Sequence, residues 1–172
     1  MNSQRIAYSP HSDHSSEFYT PREAVTPLLR YIRPSMRIWC PCDTEESEFV
    51  KVFRDNCNHV IASHISTGQD FLTWEPSEEF DAIITNPPFK NKAAFFARAM
   101  YFDKPFAFLM SLTWLNDSAP VRMFQPVGLE LLLFDKRIHY RQPDGSTQKK
   151  TTFASAYFCN RFLPRQIIMR NL

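Results

Sequence analysis

The residues best suited to carry out a reaction form the tetrapeptide Asn86-Pro87-Pro88-Phe89, which follows an apolar run beginning at Asp81. Proline cannot donate to a β-sheet ladder, and a residue that precedes a proline is held in an extended conformation. The side chain of Asn86 and the carbonyl of Pro87 are therefore presented rigidly at the end of a predicted strand. The segment offers two hydrogen-bond acceptors and one aromatic ring, and it contains no titratable base.

This set of groups suits methylation of an exocyclic amino group on an aromatic ring, an amine whose lone pair is delocalised. Two fixed acceptors on the N–H bonds push the nitrogen toward tetrahedral geometry and stabilise the positive charge that develops on it. The ring of Phe89 can stack on a base that has left the double helix. Asn-Pro is also a common turn dipeptide, so the position of Asn86 in the fold decides between the two interpretations.

Short apolar runs alternate with amphipathic segments along the chain, which predicts an α/β fold with a mostly parallel sheet and helices on both faces. The predicted strands are Arg37–Cys40, His59–Ser63, Phe80–Thr85, Phe106–Met110, Leu129–Phe134 and Phe153–Cys159. The first predicted helix is capped by Thr20 together with Glu23 and ends before Pro34. The other predicted helices are Thr44–Cys57, Asn91–Phe102 and a short one near Asn116–Phe124. Only a polar loop joins the last two strands, which predicts an antiparallel pair. In such sheets ligands bind at the carboxyl ends of the strands, where Asn86 lies.

Composition excludes a disordered regulator, a collagen-like fibre and a disulfide-bonded miniprotein. The 172 residues are 44% hydrophobic and 22% charged, which is typical of one globular domain. We expect a flexible polar arm over residues 1–17 and a single domain over 18–172, without a separate target-recognition domain. Three glycines are too few for a Gly-rich phosphate loop, and the four cysteines lack metal-ligand spacing. The sequence begins without an apolar leader, so we expect a cytoplasmic protein.

Charge is distributed unevenly along the chain. Residues 43–81 hold ten acidic and two basic side chains, a net charge of −8, whereas residues 136–172 have a net charge of +7. A basic end favours a polyanionic partner such as DNA. A charged run is equally often an ordinary solvated surface, and the sequence leaves both interpretations open.

The segment Asn86–Phe89 resembles the catalytic motif of amino-group methyltransferases that use S-adenosylmethionine, most closely the N6-adenine DNA methyltransferases. Phe18-Tyr19-Thr20-Pro21 resembles the motif that lines the methionine end of the cofactor in these enzymes, and Gly68-Gln69-Asp70-Phe71 resembles the segment that holds its adenine. Further segments follow in family order, and the whole is similar to the short enzymes of phages and mobile elements. The resemblance implies a Rossmann-like class I methyltransferase fold, with a seven-stranded sheet and an antiparallel last strand.

The resemblance also implies which residues bind the cofactor S-adenosylmethionine: Tyr19, Thr20, Pro21, Cys40, Pro41, Asp43, Ser63, His64, Asp70, Phe71 and Asn86. The chain departs from the family where Cys40–Thr44 replaces a glycine-containing turn. Asp43 either meets the charged amino group of the cofactor or caps the following helix together with Glu46. Ser63 and His64 stand where the family has an acidic residue that binds the ribose.

Contact with double-stranded DNA, with the target adenine flipped out, is expected from Lys90, Lys92, Arg137, Tyr140, Arg141, Lys149 and Lys150. A polar hairpin and the polar start of a helix are the alternative interpretations of these residues. A chain this short is expected to need a second copy or a partner subunit to hold a duplex.

Two alternatives to a DNA methyltransferase remain open at this point. The same chemistry serves methylation of RNA adenine or of a protein glutamine amide. The missing glycines favour a catalytically degenerate module that binds DNA or another partner, and the intact Asn86–Phe89 segment opposes it.

Overall fold

The sheet of this protein has seven strands in the order β2-β1-β3-β4-β6-β5-β7, in a computed structural model that describes residues 19–141, 146 and 153–172. The strands are β1 (Arg37–Pro41), β2 (His59–Ser63), β3 (Ala82–Thr85), β4 (Phe106–Ser111), β5 (Glu130–Phe134), β6 (Ser155–Asn160) and β7 (Ile167–Arg170). The α-helices are α1 (Arg22–Val25), α2 (Glu48–Asp55), α3 (Lys92–Tyr101) and α4 (Ser118–Phe124). Three 3-10 helices cover Thr26–Tyr31, Ile65–Thr67 and Leu112–Asn116. The predicted arm over residues 1–17 lies outside the described residues.

Strands β1 to β4 are parallel to one another, and β6 is antiparallel to both β4 and β5. The predicted α/β fold, its seven-stranded and mostly parallel sheet and its antiparallel pair near the C-terminus are therefore confirmed. One further strand, β7, follows β6 and pairs in parallel with β5 at the edge of the sheet. Its four residues include two exposed apolar side chains, Ile167 and Met169, so the sequence pattern of a buried strand is weak there.

Alternation of side chains along the strands creates two hydrophobic cores, one on each face of the sheet. In β4, Phe106 and Phe108 face an aromatic core that also contains Phe96 of α3 and Phe124 of α4. The intervening Ala107 and Leu109 face the other core, which is shared with α1 and α2. Helices on both faces are the reason why β3 and β4 are buried along their whole lengths.

The first helix differs from its prediction. Pro21 precedes α1, and no side chain caps this helix, so the predicted cap formed by Thr20 and Glu23 is wrong. After four residues the α-helix becomes a 3-10 helix, because Pro27 has no N–H to continue the α-helical pattern. Leu28 and Ile32 still supply a buried face, as predicted.

Two other helix boundaries also differ from their predictions. Helix α2 begins at Glu48 rather than at Thr44, because the hydroxyl of Ser47 accepts a hydrogen bond from the backbone N–H of Thr44 at 3.0 Å and forms a turn before the helix. The short helix predicted near Asn116–Phe124 is observed as α4 at Ser118–Phe124, and the 3-10 helix Leu112–Asn116 precedes it. Among the residues that the structure describes, no helix has the length and apolar character needed to cross a membrane.

Candidate functional site

The parallel strands β1, β2 and β3 end side by side at Pro41, Ser63 and Thr85, and we call this the carboxyl edge of the sheet. The backbone N–H of Asp43 donates to the carbonyl of Ser63 at 3.0 Å. The hydroxyl of Thr85 lies 2.7 Å from Oδ2 of Asp43 and also contacts the carbonyl oxygen of Pro41. These bonds hold three chain segments together immediately before Asn86.

Asn86 lies at the carboxyl edge, as predicted, and it contacts a residue that is 66 positions away in the sequence. Its amide Nδ2 donates to the hydroxyl oxygen of Thr20 at 3.1 Å, and Thr20 is buried. Because the amide nitrogen faces Thr20, the amide oxygen of Asn86 faces away from Thr20. Pro87 is buried and Pro88 is exposed, so the chain turns outward after Asn86. The structure thus brings two of the predicted motifs into direct contact.

Phe89 is 40% exposed and is positioned by an aromatic neighbour. The centroid of its ring lies 5.8 Å from that of Phe153, at an interplanar angle of 82°. Phe153 in turn packs against Tyr140, with ring centroids 5.9 Å apart. The hydroxyl of Tyr140 donates to Oγ of Ser155 at 2.8 Å, which anchors this aromatic row to β6.

The predicted contact of Tyr140 with DNA is wrong, because this side chain is only 2% exposed. Burial raises the pKa of Tyr140 to about 12, so the phenol is neutral within the protein interior. The sequence pattern placed Tyr140 among cationic residues, and it did not show that the ring packs inward against Phe153.

Asp43 is the most perturbed carboxyl group at the carboxyl edge. It is 7% exposed, and burial raises its pKa to about 7, although hydrogen bonds from Thr85 and Ser47 favour the charged form. The N-cap position of α2 belongs to Ser47, so the alternative in which Asp43 caps that helix with Glu46 is wrong. The remaining interpretation, contact with a ligand cation, stays a prediction.

The turn after β1 is made without glycine. Cys42 adopts a left-handed conformation, with a φ of 69°, which costs a residue with a side chain roughly 1 kcal/mol. Cys40 lies in the hydrophobic core, where burial raises the pKa of its thiol well above the usual value. Pro41 is buried and offers its carbonyl to Thr85. Any contact that Cys40 makes with a ligand therefore comes from its backbone.

Ser63 and His64 are already engaged within the protein. Oγ of Ser63 accepts from the indole N–H of Trp39 at 2.9 Å. Nδ1 of His64 accepts from the backbone N–H of Ser66 at 3.1 Å and caps the 3-10 helix Ile65–Thr67. Only part of their hydrogen-bonding capacity remains for the hydroxyl groups of a ligand.

Asp70 and Phe71 lie on the loop that follows the 3-10 helix Ile65–Thr67, and the structure separates their roles. Oδ1 of Asp70 accepts from the backbone N–H of Leu72 at 3.0 Å, and the side chain is half-buried. Phe71 is 2% exposed and stacks on Phe95, with ring centroids 5.4 Å apart. The Phe71 ring is therefore part of the aromatic core, and its predicted contact with the adenine of the cofactor stays a prediction.

Some of the basic residues predicted to contact DNA lie near the carboxyl edge of the sheet. Tyr19 and Arg141 form an antiparallel bridge, with N···O distances of 2.9 and 3.0 Å. Tyr19 is the chain neighbour of Thr20, so the bridge places exposed Arg141 close to Thr20. Arg137 and Lys90 are exposed, and half-buried Lys92 begins α3. Lys149 and Lys150 lie outside the described residues.

Two contributors were missed by sequence reasoning. Thr85 is a fully buried polar residue at the last position of an apolar strand, directly before Asn86, and that position is the signal that identifies it. Phe153 was predicted only as the start of a strand, and nothing in its local sequence indicates the contact with Phe89.

The fold of this chain is similar to those of several solved protein structures. No protein-family model matches the chain, and no curated protein sequence matches it. A solved structure from Listeria monocytogenes, provisionally described as a class I S-adenosylmethionine-dependent methyltransferase, superimposes with a TM-score of 0.56 at 11% sequence identity. The match covers 94% of this chain and 68% of that protein. The chain therefore has the Rossmann-like fold of class I methyltransferases.

Proposed function

We propose that this protein transfers a methyl group from S-adenosylmethionine to the N6 amino group of adenine in DNA. The observation that carries the proposal is the hydrogen bond from Asn86 to Thr20 at the carboxyl edge. It unites the two segments that separately resemble the catalytic and cofactor motifs of N6-adenine methyltransferases. The class I methyltransferase fold supports methyl transfer as the reaction class.

The groups present at the carboxyl edge fit the proposed cofactor. S-adenosylmethionine carries a sulfonium, an ammonium and an exocyclic amine, which are cations or hydrogen-bond donors. Asp43 and Asp70 offer carboxyl oxygens in this region, and the intervening chain belongs to the segment with a net charge of −8. Asp43 would hold the ammonium and Asp70 the adenine amine, and the bound cofactor would supply an electrophilic methyl group.

Asn86 and Pro87 would act on the target amine. The amide oxygen of Asn86 and the carbonyl oxygen of Pro87 accept hydrogen bonds from its two N–H groups, which localises the nitrogen lone pair. The bond to Thr20 fixes the orientation of the Asn86 amide, so no free energy is spent on reorientation during the reaction. Phe89, with 40% of its surface exposed, would stack on the extruded base.

Cations near this edge support DNA as the substrate. Exposed Arg141 is paired through its backbone with Tyr19, and exposed Lys90 follows Phe89 directly. These side chains would contact phosphates on either side of the flipped nucleotide and position it without reading sequence. Substrate choice among DNA, RNA and protein amides depends on this surface rather than on Asn86.

Methyl-transfer assays with labelled S-adenosylmethionine test the proposal. Label should enter duplex DNA, and digestion of the product should release N6-methyladenine. Restriction-sensitivity mapping of DNA from expressing cells should then locate the methylated sequence. An Asn86→Ala preparation is the matched control and should transfer no label above background. If label enters RNA or protein and none enters DNA, the assignment of DNA as the substrate is overturned, and methyl transfer remains the reaction.

A second candidate is a non-catalytic module of the same fold. It is favoured by the engaged hydrogen bonds of Ser63 and His64 and by the burial of Phe71, since these leave fewer groups for a cofactor. Calorimetric titration with S-adenosylmethionine separates the two candidates. Absence of binding at millimolar cofactor would favour the non-catalytic module and exclude the proposed methyltransferase function.

A further inference from the structure

The hydroxyl of Thr85 lies between two oxygen atoms in the interior. It contacts the carbonyl oxygen of Pro41 and lies 2.7 Å from Oδ2 of Asp43, and Thr85 is fully buried. A hydroxyl has one proton to donate, and a proline carbonyl can only accept. Both contacts are hydrogen bonds at the same time only when the carboxyl group of Asp43 carries a proton and donates it to Thr85. The geometry therefore favours a neutral Asp43 in the free protein.

Among the residues that the structure describes, none places a compensating positive charge against Asp43. The titratable groups around it are Cys40 and Cys42 near the end of β1, Asp70 on the loop after β2, Tyr157 of β6 and, beside Cys40, Arg54 of α2. Arg54 forms an ion pair with Glu45 and does not contact Asp43. Burial is the main reason why the pKa of Asp43 rises to about 7.

We propose that binding of a cationic ligand at the carboxyl edge ionises Asp43, so that uptake of S-adenosylmethionine is coupled to release of a proton. This inference rests on the proposed function. The O–H bond of the Asp43 carboxyl group breaks, its proton passes to water, and the carboxylate pairs with the ammonium group of the ligand. The hydroxyl of Thr85 then donates to the carboxylate instead of to Pro41.

The coupling has a measurable size. With a pKa of about 7, Asp43 in the free protein is about 90% protonated at pH 6 and about 10% protonated at pH 8. Binding should release about 0.9 proton per ligand at pH 6 and about 0.1 at pH 8. Affinity should fall about tenfold for each pH unit below 6 and should level off above pH 8.

The test is calorimetric titration of the full chain with S-adenosylmethionine at pH 6, in buffers of different protonation enthalpy. The slope of the observed heat against buffer enthalpy counts the protons released, and the amine of the ligand stays protonated at this pH. Asp43→Asn should bring the count close to zero and remove the pH dependence of affinity. Asp117→Asn, at an exposed carboxylate that precedes α4, is the matched control and should leave the count unchanged.

A second variant probes the partner of Asp43. Thr85→Val keeps the shape of the side chain and removes the hydroxyl that donates to Asp43 once the carboxyl group is ionised, which is the interaction that lowers the pKa of Asp43. The ionised form loses more than the protonated form, because a hydrogen bond to a charged group is the stronger one. The pH at which half a proton is released should therefore rise above its wild-type value. A variant that leaves this midpoint unchanged would remove Thr85 from the coupling.

Each outcome decides a different statement. Cofactor binding with a proton count near zero in the wild type, or with a count that Asp43→Asn does not change, overturns the coupling and leaves the proposed function standing. Absence of cofactor binding at every pH removes the proposed function, and the coupling falls with it. A count near 0.9 that only Asp43→Asn abolishes is the expected result.

Discussion

Replacing Thr20 with valine tests the contact on which the proposed active site depends. Valine keeps the branched shape of threonine and removes the oxygen that accepts from Nδ2 of Asn86 at 3.1 Å. Thr20 is buried, whereas Asn86 is half-buried and retains access to water. The free energy of unfolding should therefore fall by only about 1 kcal/mol, the net contribution of a neutral hydrogen bond.

The effect on catalysis should exceed the effect on stability. Removing a preorganised hydrogen-bonding group costs about 100- to 1000-fold in rate. In Thr20→Val the Asn86 amide is present and only loses its orientation, so we expect kcat to fall about 10- to 100-fold, or about 1.4–2.7 kcal/mol of barrier. Affinity for S-adenosylmethionine should change much less than kcat.

The assay measures kcat with labelled cofactor and stability by chemical denaturation, and Thr20→Ser is the rescue variant. Serine restores the hydroxyl oxygen, so its kcat should lie within about threefold of wild type, an interval of about 0.7 kcal/mol. A Thr26→Val protein controls for loss of a threonine hydroxyl, since the hydroxyl of Thr26 donates to the carbonyl of Arg22 four residues earlier and does not bond to Asn86. Wild-type turnover in Thr20→Val, or equal turnover in the serine and valine proteins, would refute the orienting role of this bond.

Four other expectations follow from the same geometry. Asn86→Ala should lower methyl transfer about 100- to 1000-fold and lower the free energy of unfolding by about 1 kcal/mol, because it too removes the bond to Thr20; a tenth of wild-type turnover would exclude Asn86 from catalysis. Asp43 titrates at about 7 when folded and near 3.8 when unfolded, so the native state binds more protons between these values; stability should fall by up to about 1.4 kcal/mol per pH unit from pH 4 to 7. Denaturant midpoints measured across that range should decline in the wild type and decline less in Asp43→Asn. Arg141→Ala should make the log–log dependence of duplex affinity on salt shallower by about 0.9, and an unchanged slope would mean that no phosphate is contacted there. Phe153→Ala should raise KM for DNA several-fold without changing cofactor affinity, because it removes a ring that packs against Phe89; fluorescence of a base analogue at the methylated position would show whether stacking is lost.

Much of the architecture was predictable from local sequence, because the spacing of apolar residues reports which face of an element is buried. The strand His59–Ser63 has the predicted bounds, and the predicted helix Asn91–Phe102 is observed as α3 at Lys92–Tyr101. The position of Asn86 at the carboxyl end of a central parallel strand was also predictable, since two prolines end the strand there. These features depend on neighbours within a few residues along the chain.

Other features depend on what packs across the fold, and local sequence does not contain that information. The hydroxyl of Thr20 was predicted to cap a helix, but in the folded chain it accepts a hydrogen bond from Asn86. Phe71 and Tyr140 have sequence contexts typical of ligand or DNA contacts, yet both rings are buried against aromatic neighbours. The sequence by itself determined the alternation of strands and helices and the chemistry available at Asn86–Phe89. The tertiary structure alone decided which of the surrounding side chains face a ligand, because burial depends on contacts between residues that are far apart in the chain.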